Sequence, residues 1–424
     1  MRRKFSEVLS SWKNKEVHLP LLVQGARQIG KTYSLKQFGQ DCFVKTIYIN
    51  FETDRYLAGY LEQTLDPKKI IDAIAEIYHQ QIVPEETLII FDEIQACDRA
   101  LTALKYFAEQ APEYYVAAAG SLLGVALKHK SFSFPVGKVE WVRMYPMDFE
   151  EFLWAKGEDF LAGEIRSGFM NNRPLPSQLH EQALLYYREY LLVGGMPSAV
   201  AAFVEHRDFR QHQNLLYDAY VADMTKYMSA GDLLKVTGVY TSLLAQLAKD
   251  NRKFQYKLLK SGARASVYAD AVEWLVNAGV VLKCSLVEKW QYPLDAYVDG
   301  DNFKLYYSDV GLLAFRAGLR FDNLDLAKQF MGAVTENYVA QVLTGKGYSL
   351  QYWQSKNTAE VDFLLEKDGR VIPLEVKADV HTRSRSLSVY VKEYHPDYAI
   401  RISAKNFGME NNIQSVPLYA VHCL

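Results

Sequence analysis

Apolar runs alternate with helix-like segments over roughly the first third of the chain. "LPLLVQ" (19–24) reads as a short buried strand, and "KTYSLKQFGQ" (31–40) continues as a helix with Tyr33, Leu35 and Phe38 and a stop at Gly39. "CFVKTIYINFET" is a second strand. Thr87 to Phe91 is continuously apolar with the β-branched and aromatic bias of a central parallel strand, and "LTALKYFAEQAPE" follows as a helix. "YYVAAAGS" (114–121) is a further strand, followed by a helix over "LLGVALKHK". The alternation predicts an α/β domain, a parallel sheet flanked by helices.

From Glu150 to about Met228 the pattern turns helical and aromatic. Gly194-Gly195 and then Met196-Pro197 interrupt "EQALLYYREYLLVGGMPSAVAAFVEH", since glycine weakens a helix and proline denies it an N–H. Tyr186, Tyr187, Tyr190 and Leu191 recur at helical spacing and are expected in a core, with base stacking as the alternative. Residues 231–287 read as helix, short helix, turn, helix and strand, the outline of a winged helix. Tyr268, Val272 and Leu275 share one face there, and Gly279 ends the last helix. Lys253, Lys257, Lys260 and Arg264 lie near its turn, as in a phosphate-contacting module or on a packing lid.

Further on, Glu336 sits on an amphipathic helix with Val334, Tyr338, Val339 and Val342. "AEVDFLLEKDGRVIPLEVKA" reads as a hairpin turning at Asp368-Gly369. Alternation puts Val361, Phe363 and Leu365 on one face of its first strand and Asp362 and Leu364 on the other; Glu375 and Lys377 share a face of the second. Antiparallel pairing can bring Asp362, Glu375 and Lys377 together. Arg383 and Arg385 follow, beside a nucleic-acid backbone or on a solvated loop. "NNIQSVPLYAVHCL" closes the chain as a strand.

With 424 residues the chain has room for two to four domains. Lys plus Arg is 48 against 50 for Asp plus Glu, so a nucleic-acid surface must come from local clustering. Cys42, Cys97, Cys284 and Cys423 are far apart and form no CxxC pair, which disfavours a zinc site and a disulfide framework and makes a reducing cytoplasm the simplest setting. The N-terminus has charges but no apolar h-region, and "YYVAAAGSLLGVAL" falls short of the ~18 residues of a spanning helix, so a soluble chain without a membrane partner is expected.

Residues 25–32, Gly25, Ala26, Arg27, Gln28, Ile29, Gly30, Lys31 and Thr32, fit GxxxxGK followed by Ser or Thr, and Tyr33 opens the helix beyond. The two glycines let backbone N–H groups turn toward phosphate oxygens, Lys31 brings a mobile positive charge and the Thr32 hydroxyl can hold Mg²⁺. A second element is "TLIIFDEIQ", whose Asp92-Glu93 ends a strand at the edge where ligands of open α/β sheets bind. Asp92 is expected to contact Mg²⁺ or its water shell, and Glu93 to orient and deprotonate the attacking water. Ser121 is either a γ-phosphate sensor or a helix cap.

GARQIGKT, LIIFDEIQ, the AGS strand end and "VEWVRMYPMDFEEFL" together resemble a family of bacterial and archaeal AAA-type ATPases, related to the archaeal ATPase and STAND-like group, whose members carry an uncharacterised C-terminal domain. The resemblance is collinear over essentially the whole chain. It implies ATP and Mg²⁺ as cofactors and matches Arg27 and Arg143 to arginines common in such ATPases. Arg143 is then a finger toward γ-phosphate, in its own subunit or in a homo-oligomer, or an ordinary surface ion-pair former.

Helix Glu336, strand Asp362 and strand Glu375-x-Lys377 resemble the motif of restriction-endonuclease-like, PD-(D/E)xK phosphodiesterases, with Val361 where that family often has proline. The resemblance implies two carboxylates holding Mg²⁺ and a lysine acting on the attacking water. The expected architecture is a P-loop NTPase core (1–150), a helical lid (151–230), a winged helix (231–315) and an α/β restriction-endonuclease-like domain (316–424). Two functions are open: an ATPase acting on DNA or RNA by binding or cleavage, and a STAND-like switch recognising a protein partner.

Overall fold

Leu21–Gln24, Lys45–Asn50, Thr87–Asp92, Tyr115–Gly120 and Glu140–Arg143 form strands β1 to β5. They make one parallel sheet in the order β2-β3-β4-β1-β5. In the computed structural model, residues 1–121, 137–324, 326–355, 359–379 and 385–424 are described, and the chain divides into two compact units, Arg2–Tyr145 and Pro146–Leu424. The helix expected over residues 122–130 and Arg383 lie outside the described residues.

Helices α1 (Phe5–Lys13), α2 (Lys31–Cys42), α3 (Arg55–Gln63), α4 (Pro67–Tyr78) and α5 (Asp98–Gln110) accompany the first sheet. Asp54 and Asp66 cap α3 and α4 by accepting from the N–H groups of Leu57 and Lys68, each at 3.0 Å. Ile49, Phe91, Leu57, Ile70, Leu101 and Phe107 belong to one buried cluster, and every residue of β3 is buried, as its unbroken apolar run requires.

One expectation for α2 is corrected. The helix runs through Gly39 to Cys42; a Cβ at Gly39 would stand 2.2 Å from Thr46 Oγ1, so the glycine serves a close approach to β2 rather than a stop. Tyr33 is exposed, whereas Leu35 and Phe38 are buried.

In the second unit, helices span Phe149–Ala155, Asp159–Met170, Ser177–Val193, Pro197–Val204, Phe209–Tyr227, Ala230–Leu247, Ala265–Asn277, Val310–Arg316, Lys328–Gly345 and Arg385–Tyr394. Strands β6 (Val281–Val287), β7 (Val298–Tyr307), β8 (Gln351–Gln354), β9 (Glu360–Lys367), β10 (Arg370–Val376), β11 (Ala399–Ser403), β12 (Gly408–Glu410) and β13 (Ile413–Pro417) form a single sheet. Its order is β12-β13-β11-β10-β9-β8-β6-β7. The antiparallel β6-β7 pair follows the helices read as a winged helix, yet β6 pairs in parallel with β8 through Ser285 with Gln351 and Leu286 with Tyr352. The sheet therefore crosses the boundary expected at residues 315/316. Tyr187, Tyr190 and Leu191 are buried, as core residues should be, while Tyr186 is half-buried and donates to Glu158 at 2.5 Å. Among the described residues no helix is long and apolar enough to cross a membrane.

The break at Gly194-Gly195 has a packing cause. Asp309, fully buried, accepts from the Gly195 N–H at 2.7 Å and caps the helix at Val310 through the Leu312 N–H at 3.2 Å. Burial pushes its carboxyl up to about 6, against the pull of these N–H groups. A Cβ on Gly195 would lie 2.0 Å from the Met147 carbonyl oxygen, a backbone atom with nowhere to go. Gly195→Ala should therefore destabilise the unit by the upper end of the roughly 1–3 kcal/mol that overpacking costs. Gly163→Ala, exposed in a helix with nothing within 4 Å of the new methyl, should be neutral or stabilising, and urea titration of the two variants reads both effects.

Candidate functional sites

In the first unit, β1 ends at Gln24, the loop runs from Gly25 to Gly30, and α2 begins at Lys31. Gln24 pairs with Gly120 on one side and Arg143 on the other, so Ser121, buried just past β4, and Arg143, exposed on β5, flank the loop at the carboxyl edge. A Cβ on Gly25 would meet Ile29 Cδ1 at 2.3 Å and the Met144 carbonyl oxygen at 2.5 Å. Gly30 is left-handed at φ 96° and opens α2. Ala26 and Ile29 are buried, and Arg27 and Gln28 face outward. The buried Lys31 ammonium donates to the carbonyls of Gly25 at 2.9 Å and Ala26 at 2.8 Å.

β3 delivers Asp92 to this edge. Asp92 Oδ2 accepts from Thr32 Oγ1 at 2.7 Å and from the Tyr48 hydroxyl at 2.8 Å, while Oδ1 accepts from the Glu93 N–H at 3.0 Å. Burial foremost, and then the bond to Asp92, pushes the Tyr48 phenol up to about 12. Glu93 turns out of the strand at φ 48°. Burial raises its carboxyl above the ordinary range; the Gln95 donor lowers it, Asp92 raises it and Lys31 lowers it.

Thr32 and Asp92 fit Mg²⁺ as a pair of hard oxygen donors at one point. Mg²⁺ commonly takes only one or two protein ligands beside waters and substrate phosphates, and a hydroxyl and a carboxylate are ligands of that kind. Sequence reading missed Tyr48 and Gln95. Tyr48 had a signal in the alternation of β2, where Ile47 and Ile49 are buried and Tyr48 and Asn50 are not.

In the second unit the β9-β10 hairpin turns at Asp368-Gly369, both at positive φ, with Leu374 opposite Phe363. Asp362 Oδ2 accepts from the Val376 N–H at 2.7 Å, and Lys377 pairs with Glu375 at 2.5 Å. Burial alone would lower the Lys377 ammonium, but Glu375 and then Asp362 hold it above its ordinary value, with Arg252 opposing. Asp362, Glu375 and Lys377 therefore share one electrostatic neighbourhood. Arg401 on β11 lies across from Glu375.

Glu336 is placed differently from the expectation. Its helix is buried on every side from Ala333 to Leu343 rather than amphipathic. Glu336 Oε1 accepts from Lys304 Nζ at 2.9 Å and the Tyr306 hydroxyl at 2.5 Å, and Arg252 pairs with Oε2. The wholly buried Lys304 also holds Glu360 at 2.7 Å. Three donors thus commit Glu336 to a buried ionic network. Of the basic cluster near the winged-helix outline, Lys257, Lys260 and Arg264 are exposed, whereas Lys253 bonds Gln354. Arg385 is exposed at the start of its helix.

Residues 18–153 match a family model described as an AAA domain. With the loop, the Asp92-Glu93 strand end and the parallel sheet, the match makes the first unit an AAA-type P-loop ATPase domain. Two models described as domains of unknown function, DUF8612 and DUF4143, match residues 184–323 and 331–421. No curated protein matches the chain. Among solved structures, the Walker-type ATPase of Pyrococcus abyssi is similar at 16% identity over 75% of this chain and 95% of that one, with a TM-score of 0.43. The Aeropyrum pernix ORC2 protein, in ADPNP-ADP complexes, is similar at 13% identity over 79% and 94%, with a TM-score of 0.38. Aquifex aeolicus DnaA bound to AMPPCP is similar at 12% identity over 64% and 86%, with a TM-score of 0.30.

Proposed function

We propose that the chain hydrolyses ATP in its first unit and couples nucleotide state to nucleic-acid binding, and to Mg²⁺-dependent cleavage, at Asp362, Glu375 and Lys377 in its second. The observation that carries the ATPase reading is the convergence of Thr32 and Asp92 beside Glu93 at the phosphate loop. Lys31 exchanges its two carbonyl bonds for phosphate oxygens, and the loop N–H groups orient the triphosphate. Thr32 and Asp92 are the residues that would hold Mg²⁺, which would supply positive charge against the phosphates. Water's oxygen bonds to γ-phosphorus as the bond to the bridging oxygen breaks, and Glu93 takes the proton that water loses. In this reading Ser121 senses the γ-phosphate, and Arg143 is a finger for its own site or for that of a second copy.

The cleavage reading is supported by two carboxylates and an ammonium on adjacent strands, where Lys377 can stabilise charge on a phosphate. Asp362 and Glu375 are the residues that would hold Mg²⁺. The commitment of Glu336 to Lys304 and Arg252 favours a second reading, a STAND-like switch whose C-terminal region binds a protein without cutting. End-labelled DNA and RNA incubated with the full chain, ATP and Mg²⁺ or Mn²⁺ separate the two. Cleavage lost in Glu375→Gln supports the nuclease. Salt-sensitive binding without cutting reduces the role to nucleic-acid binding, and neither outcome leaves the protein-directed switch.

A further inference from the structure

We propose that Gln95 is a positioning residue of the hydrolytic site, holding the Glu93 carboxylate in place as a general base. The inference rests on ATP hydrolysis as proposed above. Glu93 is left-handed at φ 48°, a conformation that a non-glycine residue keeps only where its surroundings over-determine it. The chain then makes a single 3-10 turn, Ile94–Ala96, closed by the Ala96 N–H on the Glu93 carbonyl at 2.9 Å and the Cys97 N–H on that of Ile94 at 3.0 Å. Ile94 anchors the turn in the buried cluster beneath.

That turn folds Gln95 back so that its Nε2 donates to Glu93 Oε2 at 2.5 Å. Gln95 is only 4% exposed, an enclosure that costs an amide free energy unless it is bonded. Its Oε1 is enclosed and finds no partner among the described residues, so the bond to Glu93 is what the buried amide gains.

Gln95→Met keeps the length of the side chain and deletes the donor. Its kcat should fall about tenfold, while affinity for a fluorescent ATP analogue stays within about twofold. Gln95→Asn, whose amide is one methylene short, should share the loss of kcat and serves if the Met variant folds poorly. The Gln95 side-chain amide signal in a ¹⁵N NMR spectrum, assigned by its disappearance in Gln95→Met, should shift in Glu93→Ala, where its acceptor is gone. A wild-type kcat together with an unmoved amide signal overturns the inference. A wild-type chain no faster than Glu93→Gln instead overturns the hydrolysis reading, and the amide signal, which needs no turnover, still decides whether Gln95 holds Glu93.

Discussion

Glu93→Gln should bind ATP as the unaltered chain does and hydrolyse it roughly 10²–10⁴-fold more slowly, the range a positioned general base contributes. The substitution keeps size and shape at the end of β3, so Asp92, Thr32 and Lys31 stay where they are, while the amide cannot take a proton from water. Binding is read with a fluorescent ATP analogue and turnover by phosphate release. In the unaltered chain the rate should fall as pH drops through the raised Glu93 value, placing the acidic limb above that of an ordinary carboxylate. If Glu93 only ends the strand, the variant will turn over ATP normally.

The second large effect is expected at Glu336. Its replacement by Ala leaves Lys304, with no exposure at all, and Arg252 facing each other without their shared carboxylate. Breaking a buried ion pair from one side costs about 3–5 kcal/mol, so Glu336→Ala should shift the urea midpoint of the second unit strongly downward. Glu336→Gln, which can still accept from Tyr306 or Lys304, should recover part of the loss. A metal ligand would behave otherwise: nucleic-acid cleavage would vanish and the midpoint would hardly move. The measured midpoint thus tells a structural anchor from a member of the metal site.

What was legible in the sequence was local. Gly25 to Thr32 are the loop after one strand and the first two residues of the next helix, and Asp92-Glu93 end one apolar run, so short-range pattern and backbone geometry define them. The β9-β10 hairpin was legible for the same reason, because Asp368-Gly369 sets its register and so brings Glu375 beside Asp362. The network around Glu336 was not, since its partners come from a loop at Arg252 and from β7, far away in the chain, and periodicity carries no information about such pairings. The parallel pairing of β6 with β8 is hidden for the same reason. Gly39 misleads because a glycine in a helical period reads as a stop while nothing local says what packs against it: it answers to Thr46 on the neighbouring strand.

The central claim is that ATP turnover in the first unit is tied to nucleic acid. It is tested most directly by phosphate release from the purified full chain with Mg²⁺, with and without DNA or RNA, against Glu93→Gln. The account predicts turnover above that blank which rises when nucleic acid is added. Turnover that never exceeds the blank contradicts the assigned roles of Asp92 and Glu93, and turnover indifferent to nucleic acid contradicts the coupling.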